Sequence, residues 1–113
     1  MQFAILLYPR VTALDAVGPY EVFSKFPGNE VVFVGERTGP VRTEAGSLGL
    51  VVDATLDEIT SPDVVLVPGG HGQTDLMDDG PVPEWLRRVD AGSTWTTSVC
   101  TGSLILAAAG LLH

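Results

Sequence analysis

Thr94-Trp-Thr-Thr-Ser-Val-Cys100-Thr-Gly-Ser-Leu-Ile-Leu-Ala-Ala-Ala-Gly110 changes character at its cysteine. β-branched residues lead up to Cys100, the only cysteine of the chain, and small residues and strong helix formers follow it until a glycine closes the run. The pattern predicts a strand, a sharp turn and a helix, with Cys100 on the turn. Ser98 and Gly102 stand two residues to either side and are small enough for strand and helix to approach closely, as in the small-x-nucleophile-x-small pattern. A thiol beside the first turn of a helix feels the partial positive charge of unpaired backbone N–H groups, which favours the thiolate. An isolated cysteine is more often a buried small hydrophobe. The turn context favours a nucleophile here.

Upstream, the same alternation repeats. Phe3-Ala-Ile-Leu-Leu-Tyr8 is a continuous apolar run, the mark of a strand covered on both faces, and Pro9 ends it. A helix is predicted over 15–25, with Asp15 as its cap, Pro19 in its first turn, and Val22, Phe23 and Phe26 as its apolar stripe. Val31-Val-Phe-Val34 and Asp63-Val-Val-Leu-Val67 read as two further buried strands. Between them, residues 41–54 suggest a short hairpin or edge strands with bends at Gly46 and Gly49, and residues 56–59 one helical turn. Helical segments are expected over 74–77 and 82–89. Strands alternating with helices predict an α/β fold with a largely parallel sheet. In such sheets ligands sit beyond the carboxyl ends of the strands. Three of those ends carry unusual chemistry: Asp15 after the first, Gly69-Gly70 after the third and Cys100 after the last.

Composition narrows the class. The chain has 113 residues, 45% of them hydrophobic and 18% charged, which suits one folded domain and argues against disorder. Six basic against fourteen acidic residues give a formal charge of −8. That surface repels phosphate backbones and argues against direct nucleic-acid binding by this segment. A single cysteine excludes an internal disulfide and fits the reducing cytoplasm. Residues 104–112 are the longest strongly apolar stretch, far short of the ~20 residues that span a bilayer. This stretch has no polar face, so it requires cover on every side, by further chain or by a second subunit. The sequence stops where another strand is expected and reads as the front part of a larger module.

The candidate site follows from the three strand ends. Gly69-Gly-His-Gly72 lacks both the dinucleotide fingerprint and a phosphate-binding lysine. Glycines there allow backbone N–H groups to point at a developing negative charge, and the Gly70 and Thr101 amides form a plausible anion-stabilising pair beside Cys100. Asp15 is either a helix cap or, partly desolvated beside a thiolate, a proton donor. Spacing alone does not choose between the two. His71 with Asp75, Asp78 and Asp79 is a weak metal set and reads as a solvated acidic surface. Trp85 and Trp95 read as packing residues.

Leu14-Asp-Ala-Val-Gly-Pro-Tyr-Glu-Val-Phe23, Val67-Pro-Gly-Gly-His-Gly72 and Thr97-Ser-Val-Cys-Thr-Gly-Ser103 resemble the ThiJ/PfpI superfamily over essentially the whole chain. Within it, the Asp15 setting and Ser98-Val-Cys-Thr-Gly102 look most like the isocyanide hydratases. The resemblance implies a flavodoxin-like three-layer sandwich, with residues 1–113 forming the front of a single domain. It also implies a small-molecule substrate, a homodimer, a cysteine nucleophile at Cys100 and an acid/base at Asp15. Gly70 and Thr101 become backbone donors, the Thr101 hydroxyl an extra contact to sulfur, and no metal or organic cofactor is called for. Thr101 stands where protease-like and many glyoxalase-like relatives carry histidine, which counts against both activities. The same motifs are similar to the amino-terminal sensor domain of AraC-type transcription regulators, the alternative reading. A redox-sensing or protective protein that oxidises Cys100 is a third.

Overall fold

A computed structural model describes residues 1–77, 80–99, 102, 105, 106 and 109–111, with Thr74 and Asp75 as backbone only. The apolar run at the start forms β1 (Gln2–Leu6), in which four consecutive residues are buried, so both faces of the strand are covered. α1 (Ala13–Phe23) follows, then β2 (Glu30–Gly35). β3 (Gly39–Arg42) and β4 (Gly49–Val52) pair antiparallel as a hairpin outside the main sheet. β5 (Ala54–Thr55) is a short edge strand, and a 3₁₀ turn at Leu56–Glu58 leaves it, begun by a capping box between Thr55 and Glu58. β6 (Val64–Val67), a 3₁₀ segment (His71–Leu76), α2 (Pro81–Asp90) and β7 (Trp95–Ser98) complete the order.

The five-stranded sheet runs β5-β2-β1-β6-β7, and each pairing is parallel. The chain leaves central β1 toward β2 on one side and later resumes at β6 on the other. Right-handed crossovers in opposite directions put α1 and α2 on opposite faces. The crevice where the order reverses lies beyond the carboxyl ends of β1 and β6, where open α/β sheets bind ligands.

Side chains on each helix explain the packing. α1 lies on the face of Phe3 and Phe33: Phe23 stacks on Phe3 at 4.5 Å and Tyr20 on Phe33 at 5.4 Å. The expected stripe is therefore Tyr20 and Phe23, whereas Val22 and Phe26 are more than half exposed. The helix begins two residues before Asp15, so Asp15 is not its cap and Pro19 falls in its interior. A proline there has no N–H for the Asp15 carbonyl four residues back. α2 buries Val82, Trp85, Leu86 and Val89 along one side. Trp85 is the packing residue expected, but Trp95 is 63% exposed on β7 and packs little.

Beyond β7, Gly102, Ile105 and Leu106 are helical, and Ile105, Leu106 and Ala109 are buried. Gly110 ends this helix with φ of 80°, and the Leu111 N–H reaches back to the Leu106 carbonyl at 3.0 Å, the Schellman closure. Among the described residues no helix is long and apolar enough to cross a membrane.

Trp85 gives a direct test of the core. Its indole N–H donates to the Ile59 carbonyl at 2.9 Å while the ring is 1% exposed. Trp85→Phe leaves that carbonyl unpaired and opens a void, so denaturant unfolding is expected to show a loss of about 2–4 kcal/mol.

Candidate functional site

The site is assembled on residues 10–12, which follow β1 by three residues. Two neighbours grip this short segment through its backbone. The Thr12 N–H donates to the Gly69 carbonyl at 2.8 Å, and Val11 bridges antiparallel to Gly70. On the other side the Arg10 N–H donates to the Arg42 carbonyl at 2.8 Å, the Glu44 N–H donates to the Val11 carbonyl at 3.0 Å, and Val11 bridges parallel to Thr43. Arg10 adopts a positive φ of 67°, a conformation that costs a side-chain-bearing residue about 1 kcal/mol or more. The paired backbone around it holds that geometry.

Gly70 is where the glycine loop meets this segment. A Cβ on it would come within 2.6 Å of the Arg10 carbonyl oxygen and of the Val11 Cα. Only glycine fits, because the clash is with backbone that is itself pinned. The residue expected to present a backbone donor is thus buried directly against the loop that leads into α1.

Asp15 lies in the first turn of α1, three residues past the N-cap Thr12, and is 9% exposed. Its N–H donates to the Thr12 carbonyl at 3.1 Å. Its Oδ2 is fully buried and has no hydrogen-bond partner among the described residues. Burying a carboxylate oxygen without a partner is costly, and native proteins rarely tolerate it outside sites where the group is used. The only other such atom among the described residues is Oε1 of Gln73, on the 3₁₀ segment that leaves the glycine loop.

Cys100 and Thr101 lie outside the described residues. Their neighbours on either side are tightly held. The Val99 N–H donates to the Val67 carbonyl at the end of β6 at 3.0 Å, and the Gly102 N–H donates to the Val99 carbonyl at 3.0 Å. A Cβ on Gly102 would run into the Val67 carbonyl oxygen. The requirement for a small residue two positions after the cysteine therefore has a steric cause: this glycine lies directly on the end of β6.

Three residues not singled out from the sequence complete the surroundings. The Tyr8 hydroxyl donates to the Pro68 carbonyl at 2.7 Å, which ties the end of β1 to the start of the glycine loop. Burial pushes the Tyr8 phenol well above its ordinary value, and the nearby Asp15 and Glu44 carboxylates push it further. Thr12 donates its hydroxyl to Glu44 Oε2 at 3.0 Å instead of capping its own helix. Glu44 also faces His71 Nε2 at 3.6 Å. Tyr8 was legible as the one polar group in an apolar run. Glu44 carried no signal, because its contacts reach across the chain.

His71 is exposed, its neighbours Asp78 and Asp79 lie outside the described residues, and only the backbone of Asp75 is described. No group of three or more His, Cys, Asp or Glu side chains suited to a metal occurs among the described residues.

The chain is similar to known proteins along its whole length. The DJ-1/PfpI family model matches residues 1–113. The chain is 41% identical to the isonitrile hydratase of Pseudomonas putida, over 100% of this chain and 49% of that protein. It is 25% identical to protein/nucleic acid deglycase 2 of Escherichia coli (strain K12), over 99% of this chain and 66% of that protein. A crystal structure of a ThiJ/PfpI family protein from Pseudomonas syringae superposes with a TM-score of 0.93 at 37% identity, covering 98% of this chain and 46% of that one. The chain thus spans about half the length of the isonitrile hydratase and of the P. syringae protein.

Tyr8 makes the loop anchorage measurable. Tyr8→Phe strips the Pro68 carbonyl of its donor and is expected to cost about 1–3 kcal/mol in denaturant unfolding. The phenol holds its proton more tightly when folded than the unfolded value of 10.0 allows. Its contribution is therefore complete below about pH 10 and is lost as pH rises further, because only the unfolded chain ionises there. Stability measured from roughly pH 8 to 11 is expected to fall less steeply in Tyr8→Phe than in the natural protein.

Proposed function

We propose a cysteine-dependent hydration of isocyanides as the reaction of this chain, which belongs to the DJ-1/PfpI family. The observation that carries the reading is Asp15 Oδ2, a buried carboxylate oxygen with no partner among the described residues, at the crevice where the sheet order reverses. The likeness to an isonitrile hydratase supports the choice of substrate class.

In this reading Cys100 attacks the terminal carbon of the isocyanide as a thiolate, forming a C–S bond. The same carbon takes a proton from the Asp15 carboxyl, which leaves a thioimidate. Water then adds to that carbon, the nitrogen is protonated, and the C–S bond breaks to release the N-substituted formamide and the thiolate. Of the two protons of that water, one goes to the nitrogen and the other restores the Asp15 carboxyl that the first step had ionised. Backbone N–H groups at Gly70 and Thr101 stabilise the negative charge that passes through the substrate, and the Thr101 hydroxyl contacts the sulfur. Atoms and electrons balance with water alone, so the sequence of steps calls for no metal or organic cofactor.

A homodimer belongs to the same reading. Leu14, Val22 and Phe26 leave apolar surface exposed on α1 and just beyond it.

The test supplies an alkyl or aryl isocyanide to the protein at its full natural length and follows formamide formation. Cys100→Ala is expected to abolish turnover. Asp15→Asn is expected to lower kcat by roughly 10²- to 10⁴-fold, the range of general acid–base contributions. Undiminished turnover in Cys100→Ala would overturn the proposal.

A further inference from the structure

Glu44 joins three elements that are remote in sequence. Its carboxylate accepts the Thr12 hydroxyl at 3.0 Å, faces His71 across 3.6 Å, and its own N–H donates to the Val11 carbonyl at 3.0 Å. Thr12 is the N-cap of α1, yet its side chain makes no bond to the amides of the first turn. A threonine at this position ordinarily turns its hydroxyl inward to those amides. Here the hydroxyl is turned outward, so the start of the helix is tied to the hairpin. Asp15 lies three residues on, its N–H bonded to the Thr12 carbonyl. Within one helical turn the two residues move together. The negative Glu44 also stands at the favourable end of the α1 dipole.

The two side-chain contacts of Glu44 differ in length and in what they join. The His71 side chain is 77% exposed, and an ion pair so open to water contributes little. The Glu44 side chain is 32% exposed, and its hydrogen bond to Thr12 also lies at the surface, but at 3.0 Å it is the closer of the two side-chain contacts and joins the hairpin to the start of the helix. Tyr8, on the end of β1, is the other titratable group that senses both Glu44 and Asp15, so the two carboxylates flank one locality.

We propose that Glu44 is a positioning residue: through the Thr12 hydroxyl it fixes the start of α1, and with it the Asp15 carboxyl, at the carboxyl end of the sheet. The turnover readout of this proposal rests on the isocyanide-hydration reading, and the exchange readout does not.

The experiment compares Glu44→Ala, Glu44→Gln, Thr12→Val and the double variant Glu44→Ala/Thr12→Val in the protein at its full natural length. Amide hydrogen exchange at Leu14 and Asp15 is measured without substrate, and kcat and KM are measured with an isocyanide. Glu44→Ala and Thr12→Val are each expected to speed exchange at Asp15 by about tenfold or more. Each is expected to lower kcat by about tenfold while KM changes less than about twofold. The double variant is expected to lose no more than either single one, since both remove the same bond. Glu44→Gln keeps an acceptor for the Thr12 hydroxyl and is expected to recover most of the loss. Unchanged exchange at Asp15, additive losses, or a loss confined to KM would each overturn the positioning role. If exchange behaves as expected but the natural protein turns over no isocyanide, the reaction falls and the clamp stands. If turnover is present but exchange at Asp15 is unchanged, the clamp falls and the reaction stands.

Discussion

The rest of this structure depends on how residues 10–12 are held. They follow a strand that ends in the middle of a parallel sheet, where a chain would otherwise be free to leave in several directions. Backbone hydrogen bonds from Gly69 on one side and from Arg42 and Glu44 on the other treat them as a fragment of strand without making them part of the sheet. Because the partners are backbone groups, the geometry tolerates changes of most side chains but not a Cβ at Gly70. The neighbouring elements are built against that segment. α1 begins directly after it, the glycine loop is pressed against it, and the hairpin is docked on its far side.

The consequence is a buried carboxyl with one oxygen that the described residues leave without a partner. Asp15 Oδ2 is held out of water with no partner among the described residues, at a cost the core must offset. The offset is available: β1 and β6 are buried along nearly their whole length, and Trp85, Leu86, Ile105 and Leu106 fill the faces of the sheet. Among the described residues no bond from the first-turn amides reaches Asp15 Oδ2. Tyr8 and Glu44 supply position instead, one by anchoring the glycine loop and the other by anchoring the helix cap.

Much of this was legible beforehand. The apolar runs at Phe3, Val31 and Val64 became parallel strands, β1 and β6 buried on both faces and β2 fully buried only at Val34 and Gly35. The doubtful segment between them became a hairpin, with Gly46 at its turn. The glycine closing the last helix did so at positive φ. Misreadings share one cause. Asp15 resembles a cap and Pro19 a first-turn proline only while the helix is assumed to start at Asp15. Val22 and Phe26 resemble a core stripe only while the facing sheet is unknown. Trp95 looks like a packing residue until its strand proves to face outward there.

Local pattern alone, then, determined the strands, the helices and the parallel sheet, and marked Asp15, Gly69-Gly70 and Cys100 as following three of its strands. Those follow from periodicity, β-branching and glycine placement, which act over a few residues. What only the tertiary structure decided is how the ends are joined: the Thr12–Glu44 bond, the Tyr8–Pro68 bond and the contact of Gly70 with the loop before α1. Each links residues tens of positions apart. No short-range signal records such a contact, because its energy is realised only once the sheet has set the strand ends side by side.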